Sequence, residues 1–448
     1  MDQESQLIVS VSGIRGIVGK GLSAEQAGTF ATALGTYLQG GRVVLSRDGR
    51  PSGAMLRHAI VAGLLETGCE VQDLAVASTP TCGLAIRRLQ AAGGIQITAS
   101  HNPAPWNGLK LFSPDGRVLP AAEGLKVKSI FDSRGFHRVA WNQLGHVEEC
   151  RKADDWHRER VLELVDVARI RARGLKAFLD ANGGAGGPLG HRLLEAFQCR
   201  PICQGVDADG FFAHEPEPIE ENLREVCPLV AKHGAAIGFV LDPDADRLAL
   251  IDETGRFLGE ELTLALAVLF RLRVEKGPVV INMSTSRVVE DIAAQFGVPC
   301  HRSAVGEANV SDLMQQVGAV IGGEGNGGVI DPRVGFVRDP FIGMGLILNL
   351  MAETGKKISD LANGLPTYHI VKDKYQVARD RLPLLFEQLE KRWPEVAVNK
   401  RDGLRLDWKD RWIHVRSSNT EPIVRVIAEA PRREEAKNLC REVGGMLA

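Results

Sequence analysis

The chain has 448 residues, more than a single hydrophobic core ordinarily serves, so several domains are expected. With 44% hydrophobic and 25% charged residues, it has the composition of a folded globular protein rather than a disordered one. A formal net charge of −2 supplies no global basic field for nucleic acid or an anionic membrane, so an anionic ligand must be gripped by local clusters.

The opening MDQESQLIVSVSG lacks the basic and apolar regions of an export signal. The apolar stretches around Leu262–Leu272 and Phe341–Ala352 are too short to span a bilayer and read as buried helices. The cytoplasm is the expected compartment, with no membrane partner. Eight cysteines are scattered without a CxxC pair, which points to reduced thiols rather than disulfides or zinc.

In chain order, SGIRG at 12–16 places Arg15 in a glycine loop, a plausible helper for a phosphate. Ser23 then opens a capped amphipathic helix expected to stop at Gly40 and Gly41. The apolar run Val43–Leu45 reads as a strand, followed by the polar loop SRDGRPSG and a helix at roughly Gly53–Thr67. Gly94–Thr98 reads as a buried strand that stops at ASHNPAPWNG. The same order of strand, polar loop and helix recurs at 175–197 and 277–297, suggesting similar α/β units with ligands at the carboxyl ends of their strands. The end differs: RWIHVRSSNTEPIVRVIAEA reads as two strands around a polar turn, then a charged helix, a smaller α+β unit. The expected domains are 1–150, 151–253, 254–367 and 368–448.

Four loops carry chemistry. In TASHNP, Ser100 stands at the mouth of a buried strand, exposed on one side and backed by a rigid loop, as a nucleophile or phosphoryl carrier requires. Lys110, in the following NGLK, is placed to act on a hydroxyl proton if its ammonium is partly desolvated. A polar turn after a core strand is the alternative for this loop. In DPDADR, Asp242, Asp244 and Asp246 can converge on one hard cation, and an oxygen-only set suits Mg²⁺. A calcium EF-hand is excluded, because its sixth position is Arg247 rather than glycine and strand-like segments flank it. In GGEGNGG, Glu324 and Asn326 offer hydrogen bonds to sugar hydroxyls, although a surface turn is the commoner meaning of such a run. In RSSNTEP, Arg416 with Ser418, Asn419 and Thr420 forms an anion cradle, and Arg425 flanks the turn on its other side; an ordinary hairpin is the alternative.

Together, in this order, these loops resemble those of the α-D-phosphohexomutase family, whose members include phosphoglucomutase, phosphomannomutase and phosphoglucosamine mutase. The resemblance runs over nearly the whole chain and is greatest to phosphoglucosamine mutases. It implies a four-domain, heart-shaped α/β enzyme: three similar α/β domains with mixed sheets and a smaller α+β lid carrying the phosphate loop. It also implies that Ser100 is phosphorylated and joins Asp242, Asp244 and Asp246 as a ligand of Mg²⁺. Arg247 would support the reacting phosphoryl group, Lys110 would be the general acid/base, and Arg15 and His101 would line the site. Glu324 would hold sugar hydroxyls, while Arg416, Ser418, Asn419 and Thr420 would grip the non-reacting phosphate.

The implied reaction interconverts a hexose 6-phosphate and 1-phosphate through a bisphosphate, with glucosamine phosphate as the first choice and glucose or mannose phosphate as the alternative. The implied partners are the phosphosugar and its bisphosphate, in a monomer or homodimer. A catalytically silent phosphosugar-binding protein is disfavoured, because it would be expected to lose Ser100 or one of the aspartates. Two departures stand out. The family's sugar loop more commonly reads GE-x-SG followed by histidine, where this chain has Asn326 and Gly328, and Val11-Ser12 replaces a Thr-Asp or Tyr-Asp pair.

Overall fold

A computed structural model describes residues 7–376, 381–417 and 423–447. Among these, four separate sheets are stacked with helices. The first runs in the order Ile8–Ser10, Gly13–Ile17, Trp106–Phe112, Gly93–Ile97, Gly41–Arg47, Cys69–Val76 and Val147–Glu149. Its centre is parallel, and Trp106–Phe112 runs antiparallel to Gly93–Ile97, so the chain turns back immediately after the TASHNP loop. The second sheet has the order Leu248–Asp252, Ile237–Leu241, Lys176–Asp180, Arg200–Gln204, and the third Cys300–Ser303, Val279–Asn282, Ile321–Glu324, Gly328–Ile330. Each ends in one antiparallel hairpin on an otherwise parallel sheet. The fourth, from His369–Tyr375 to Ala397–Asn399, is antiparallel throughout and carries the helix Arg433–Leu447 on one face.

The three mixed sheets and the fully antiparallel last one match the α/β expectation. The first helix, Ala24–Leu38, is capped by Ser23, whose side chain accepts from Gln26 N–H while the Gln26 side chain accepts from Ser23 N–H. Its far end differs from expectation: Gln39 itself takes the left-handed conformation (φ 56°) and its N–H closes on the last turn, so the helix stops one residue before the glycines.

The two apolar runs form the buried helices Glu260–Val274 and Pro340–Thr354, the second buried on almost every side. They belong to one hydrophobic core that runs from Val161 to Leu365 and takes in Leu84, so the second and third sheets share an interior. The fourth sheet packs its own core, including Leu389, Ile413 and Cys440. All eight cysteines are free thiols, and among the described residues no helix is long and apolar enough to cross a membrane.

Candidate active site

The serine loop is held from behind. Just past the strand Gly93–Ile97, Thr98 Oγ1 donates to Asp48 Oδ2 (2.7 Å) and accepts from Ser100 N–H (2.8 Å). Ser100 has φ 51°, a left-handed conformation that a non-glycine residue keeps only when its surroundings impose it. Arg50 imposes it. Its Nη2 donates to the carbonyls of Ser100 (2.8 Å) and Asn102 (2.6 Å), and its Nη1 to those of Pro103 (2.7 Å) and Trp106 (3.0 Å). Its Nε donates to Asp48 (3.1 Å), and both side chains are fully buried. Burial pushes the Asp48 carboxyl up, and Arg50 opposes the shift. Arg15, on the neighbouring strand Gly13–Ile17, donates to Asn102 Oδ1 (2.8 Å).

So held, Ser100 is only 5% exposed and its Oγ donates to Asp242 Oδ2 at 3.4 Å, across 142 residues of chain. The same Oγ lies 3.2 Å from His101 Nδ1. Burial, together with the nearby Arg247 and Arg15 charges, pushes the His101 imidazole down to about 2, so it is neutral.

The strand Ile237–Leu241 delivers the acidic loop to this point. Asp242 Oδ1 accepts from the N–H groups of Asp246 and Arg247, both at 3.0 Å, which curls the loop so that its carboxylates face inward. Thr79 Oγ1 donates to Asp244 Oδ2 (2.7 Å). One oxygen from each of Asp242, Asp244 and Asp246 lies within 4.8 Å of the others, and all three residues are fully buried. Burial, then repulsion from Asp246 and Asp244, pushes the Asp242 carboxyl well above its ordinary value. Burial alone would raise Asp246 too, but Arg338, Lys110 and Arg247 hold it far below. Among the described residues, Asp244 Oδ1 and Asp246 Oδ1 are buried with no hydrogen-bond partner. Unsatisfied buried carboxylate oxygens converging on one point are what a hard divalent cation requires, so the donor set fits a metal ion.

Cations surround this acid. Lys110 Nζ donates to Asp246 (2.7 Å) and lies 3.5 Å from Asp244 and 3.8 Å from Glu307. Burial pushes its pKa down, but Asp246, Asp244 and Glu307 outweigh burial and hold it above the ordinary lysine value. The desolvation that would make it a ready base is therefore more than offset here. Arg247 donates to Glu217 (3.2 Å) and lies 3.9 Å from Asp242 and from Glu260.

Glu324, at the end of the strand Ile321–Glu324, is fixed on both oxygens. Oε1 accepts from Asn282 (2.8 Å) and Gly306 N–H (3.0 Å), and Oε2 from Arg338 Nη1 (3.0 Å). Asn326 Oδ1 is buried and has no hydrogen-bond partner among the described residues.

The structure thus gathers Ser100, His101, Lys110, Arg247 and the three aspartates, with Arg15 behind the serine loop and Glu324 joined through Arg338. Arg416 pairs in register with Arg425 on the neighbouring strand, and its Nε lies 3.2 Å from Asp402 Oδ2. Among the described residues no contact joins Arg416 to the serine or the aspartates, and Ser418, Asn419 and Thr420 lie outside those residues. Sequence reasoning missed Asp48, Arg50, Thr79, Glu307 and Arg338. For the first two the signal was present: an aspartate between two arginines in SRDGR, a loop directly after a core strand, as the serine loop itself is.

Comparison with known proteins is consistent along the entire chain. Models for phosphoglucomutase/phosphomannomutase match in sequence order: alpha/beta/alpha domain I at residues 6–138, domain II at 156–255, domain III at 259–368 and the C-terminal domain at 375–444. The chain belongs to the phosphoglucomutase/phosphomannomutase family. This mutase is 38% identical to a phosphoglucomutase/phosphomannomutase of Thermococcus kodakarensis over 437 residues, 95% of either chain. It is 34% identical to a probable phosphoglucosamine mutase of Methanothermobacter thermautotrophicus, covering 100% of this chain and 99% of the other. Its fold superposes on a phosphoglucomutase/phosphomannomutase family protein of Burkholderia thailandensis with TM-score 0.86 at 27% identity, covering 98% and 96% of the two chains. It is a phosphohexomutase, an isomerase by reaction class.

Proposed function

We propose that this mutase interconverts glucosamine 6-phosphate and glucosamine 1-phosphate, using Ser100 as the phosphoryl carrier and Mg²⁺ held by Asp242, Asp244 and Asp246. The observation carrying this reading is the 3.4 Å approach of Ser100 Oγ to Asp242, in a loop whose backbone Arg50 fixes from behind. When bound, Mg²⁺ supplies Lewis-acid stabilisation of charge on the transferring phosphoryl group.

The rest falls to side chains. The phosphoryl group leaves Ser100 Oγ for the free hydroxyl of the sugar monophosphate, giving a bisphosphate. The sugar hydroxyl gives up its proton as it attacks and Ser100 Oγ takes one up as it leaves, and the Lys110 ammonium is placed to donate the latter and accept the former. After the bisphosphate reorients, its other phosphoryl group returns to Ser100 and the isomer departs. Arg247, rooted beside Asp242, offsets charge developing near the serine. Glu324 and Asn326 accept from sugar hydroxyls, and Arg416, Ser418, Asn419, Thr420 and Arg425 grip the non-reacting phosphate. The chain segments 1–150, 151–253, 254–367 and 368–448 divide these tasks between the serine, metal, sugar and phosphate loops. Positioning and charge stabilisation carry most of such a reaction.

A second reading, interconversion of glucose or mannose phosphates, is favoured by the name of the 38% identical Thermococcus relative. Assaying the purified protein on all three hexose 6-phosphates, with Mg²⁺ and a trace of bisphosphate, separates the two. Glucosamine 6-phosphate is expected to give the highest kcat/KM, and preference for another sugar overturns the choice. Ser100→Ala is expected to abolish turnover with an unchanged circular dichroism spectrum; residual activity near the wild-type level removes Ser100 as carrier.

A further inference from the structure

Gly328 is a glycine for the sake of another side chain. Its backbone lies in the strand Gly328–Ile330 and outside the left-handed region, so conformation does not require glycine there. Space does. A Cβ on Gly328 would fall 2.2 Å from Cδ and 2.9 Å from Cγ of Arg338, and 3.2 Å from Asn326 Oδ1. The Arg338 stem runs through the volume that any side chain at 328 would fill.

What that passage reaches is central. Arg338 is 7% exposed. Its Nη2 donates to Asp246 Oδ2 (2.5 Å), its Nη1 to Glu324 Oε2 (3.0 Å), and its Nε lies 3.5 Å from Glu307. One planar guanidinium therefore clamps a carboxylate of the metal loop and a carboxylate of the sugar loop at a fixed separation. Its own backbone is fixed as well: Arg338 N–H donates to Glu307 Oε1 (2.8 Å), and the next residue, Asp339, caps the buried helix Pro340–Thr354 and bonds His157 (2.8 Å).

We propose that Gly328 and Arg338 are a matched pair in which the glycine opens the path and Arg338 acts as the positioning residue that locks the metal loop to the sugar loop. The inference rests on the mutase reading for what the two loops bind, but not for the coupling itself.

The test is a double-mutant cycle on the full chain with Gly328→Ala, Arg338→Ala and the double variant, read by Mg²⁺ titration calorimetry and by kcat/KM. Arg338→Ala is expected to weaken Mg²⁺ binding and to lower kcat/KM by about 10–100-fold each, the usual consequence of losing a residue that orients a ligand. Gly328→Ala should match it, because the displaced guanidinium can no longer bridge. The double variant should be no worse than Arg338→Ala alone. Multiplicative losses in the double variant, or an Mg²⁺ affinity within about twofold of wild type in Arg338→Ala, overturn the pairing. Arg338→Lys keeps a cation but lacks the rigid planar fork that holds Asp246 and Glu324 at a fixed separation, and it should lose Mg²⁺ affinity too; wild-type affinity in that variant also overturns the proposal. Because Mg²⁺ binding is read directly, a wild-type protein without mutase turnover would defeat the functional reading while the cycle still decides this one.

Discussion

Arg50 is the residue on which the geometry of the serine loop most depends, although it reaches Ser100 only through the backbone carbonyl. Four backbone carbonyls and the Asp48 carboxylate are satisfied by one buried guanidinium, and nothing smaller reproduces that fork. Removing one member of a buried ion pair leaves its partner uncompensated, so Arg50→Ala is expected to destabilise the protein by about 3–5 kcal/mol in urea denaturation. A loss below about 1 kcal/mol would show that water replaces the side chain easily. His214 gives a pH-dependent counterpart. Its Nε2 meets Asp180 at 3.0 Å and its Nδ1 meets the Glu215 carbonyl at 2.8 Å. Burial alone would lower its pKa, but the Asp180 partner raises it above the ordinary histidine value. A raised folded-state pKa means that the pair's contribution is complete below the unfolded pKa and disappears as pH rises through the folded one. The gap in melting temperature between wild type and His214→Gln is therefore expected to be wide at about pH 5 and closed at about pH 9.

At the scale of elements, the helix Pro340–Thr354 ties the second and third sheets together, and Gly345 sits at its closest approach. A Cβ there would lie 2.8 Å from Val165 Cγ1 and 3.4 Å from the Phe197 ring. Gly345→Leu is expected to destabilise by about 1–3 kcal/mol through overpacking, measured by denaturant midpoint. This helix, the Ser23 cap and the strand–loop–helix units were legible in the sequence because each is written in local code: an apolar run, a hydroxyl before a helix, a polar loop after a strand. Ser100 and the three aspartates were legible for the same reason, each lying in one short motif. Arg338, Glu307 and Thr79 were not. Their meaning comes from partners 92, 197 and 165 residues away, and no local pattern distinguishes a buried arginine that bridges two loops from one that decorates a surface. The end of the first helix was misread because Gln39 accepts a left-handed cap that glycine usually fills.

For the whole molecule, the core that runs from Val161 to Leu365 and takes in Leu84 makes the loops bearing the three aspartates and Glu324 parts of one packed body, whereas the fourth sheet has a core of its own. The fourth unit docks through polar contacts instead: His414 meets Ser284 (3.0 Å), Asp402 accepts from Val305 N–H (2.9 Å), and Glu429 from Arg287 N–H (3.0 Å). Such a contact is weaker than a shared interior, so calorimetry is expected to resolve two transitions, with the fourth unit melting first. A single transition would mean that docking is as cooperative as core packing.

The Arg338 bridge has a consequence for how the protein is made. Lys110 waits 136 residues for Asp246, and Asp246 waits a further 92 for its guanidinium. A growing chain on the ribosome therefore displays the serine long before the acidic loop has its full set of counter-charges, and the centre cannot be completed until roughly three quarters of the polypeptide has emerged. Fragments released early would carry the Ser100 hydroxyl without the Arg338 bridge that aligns the carboxylates facing it.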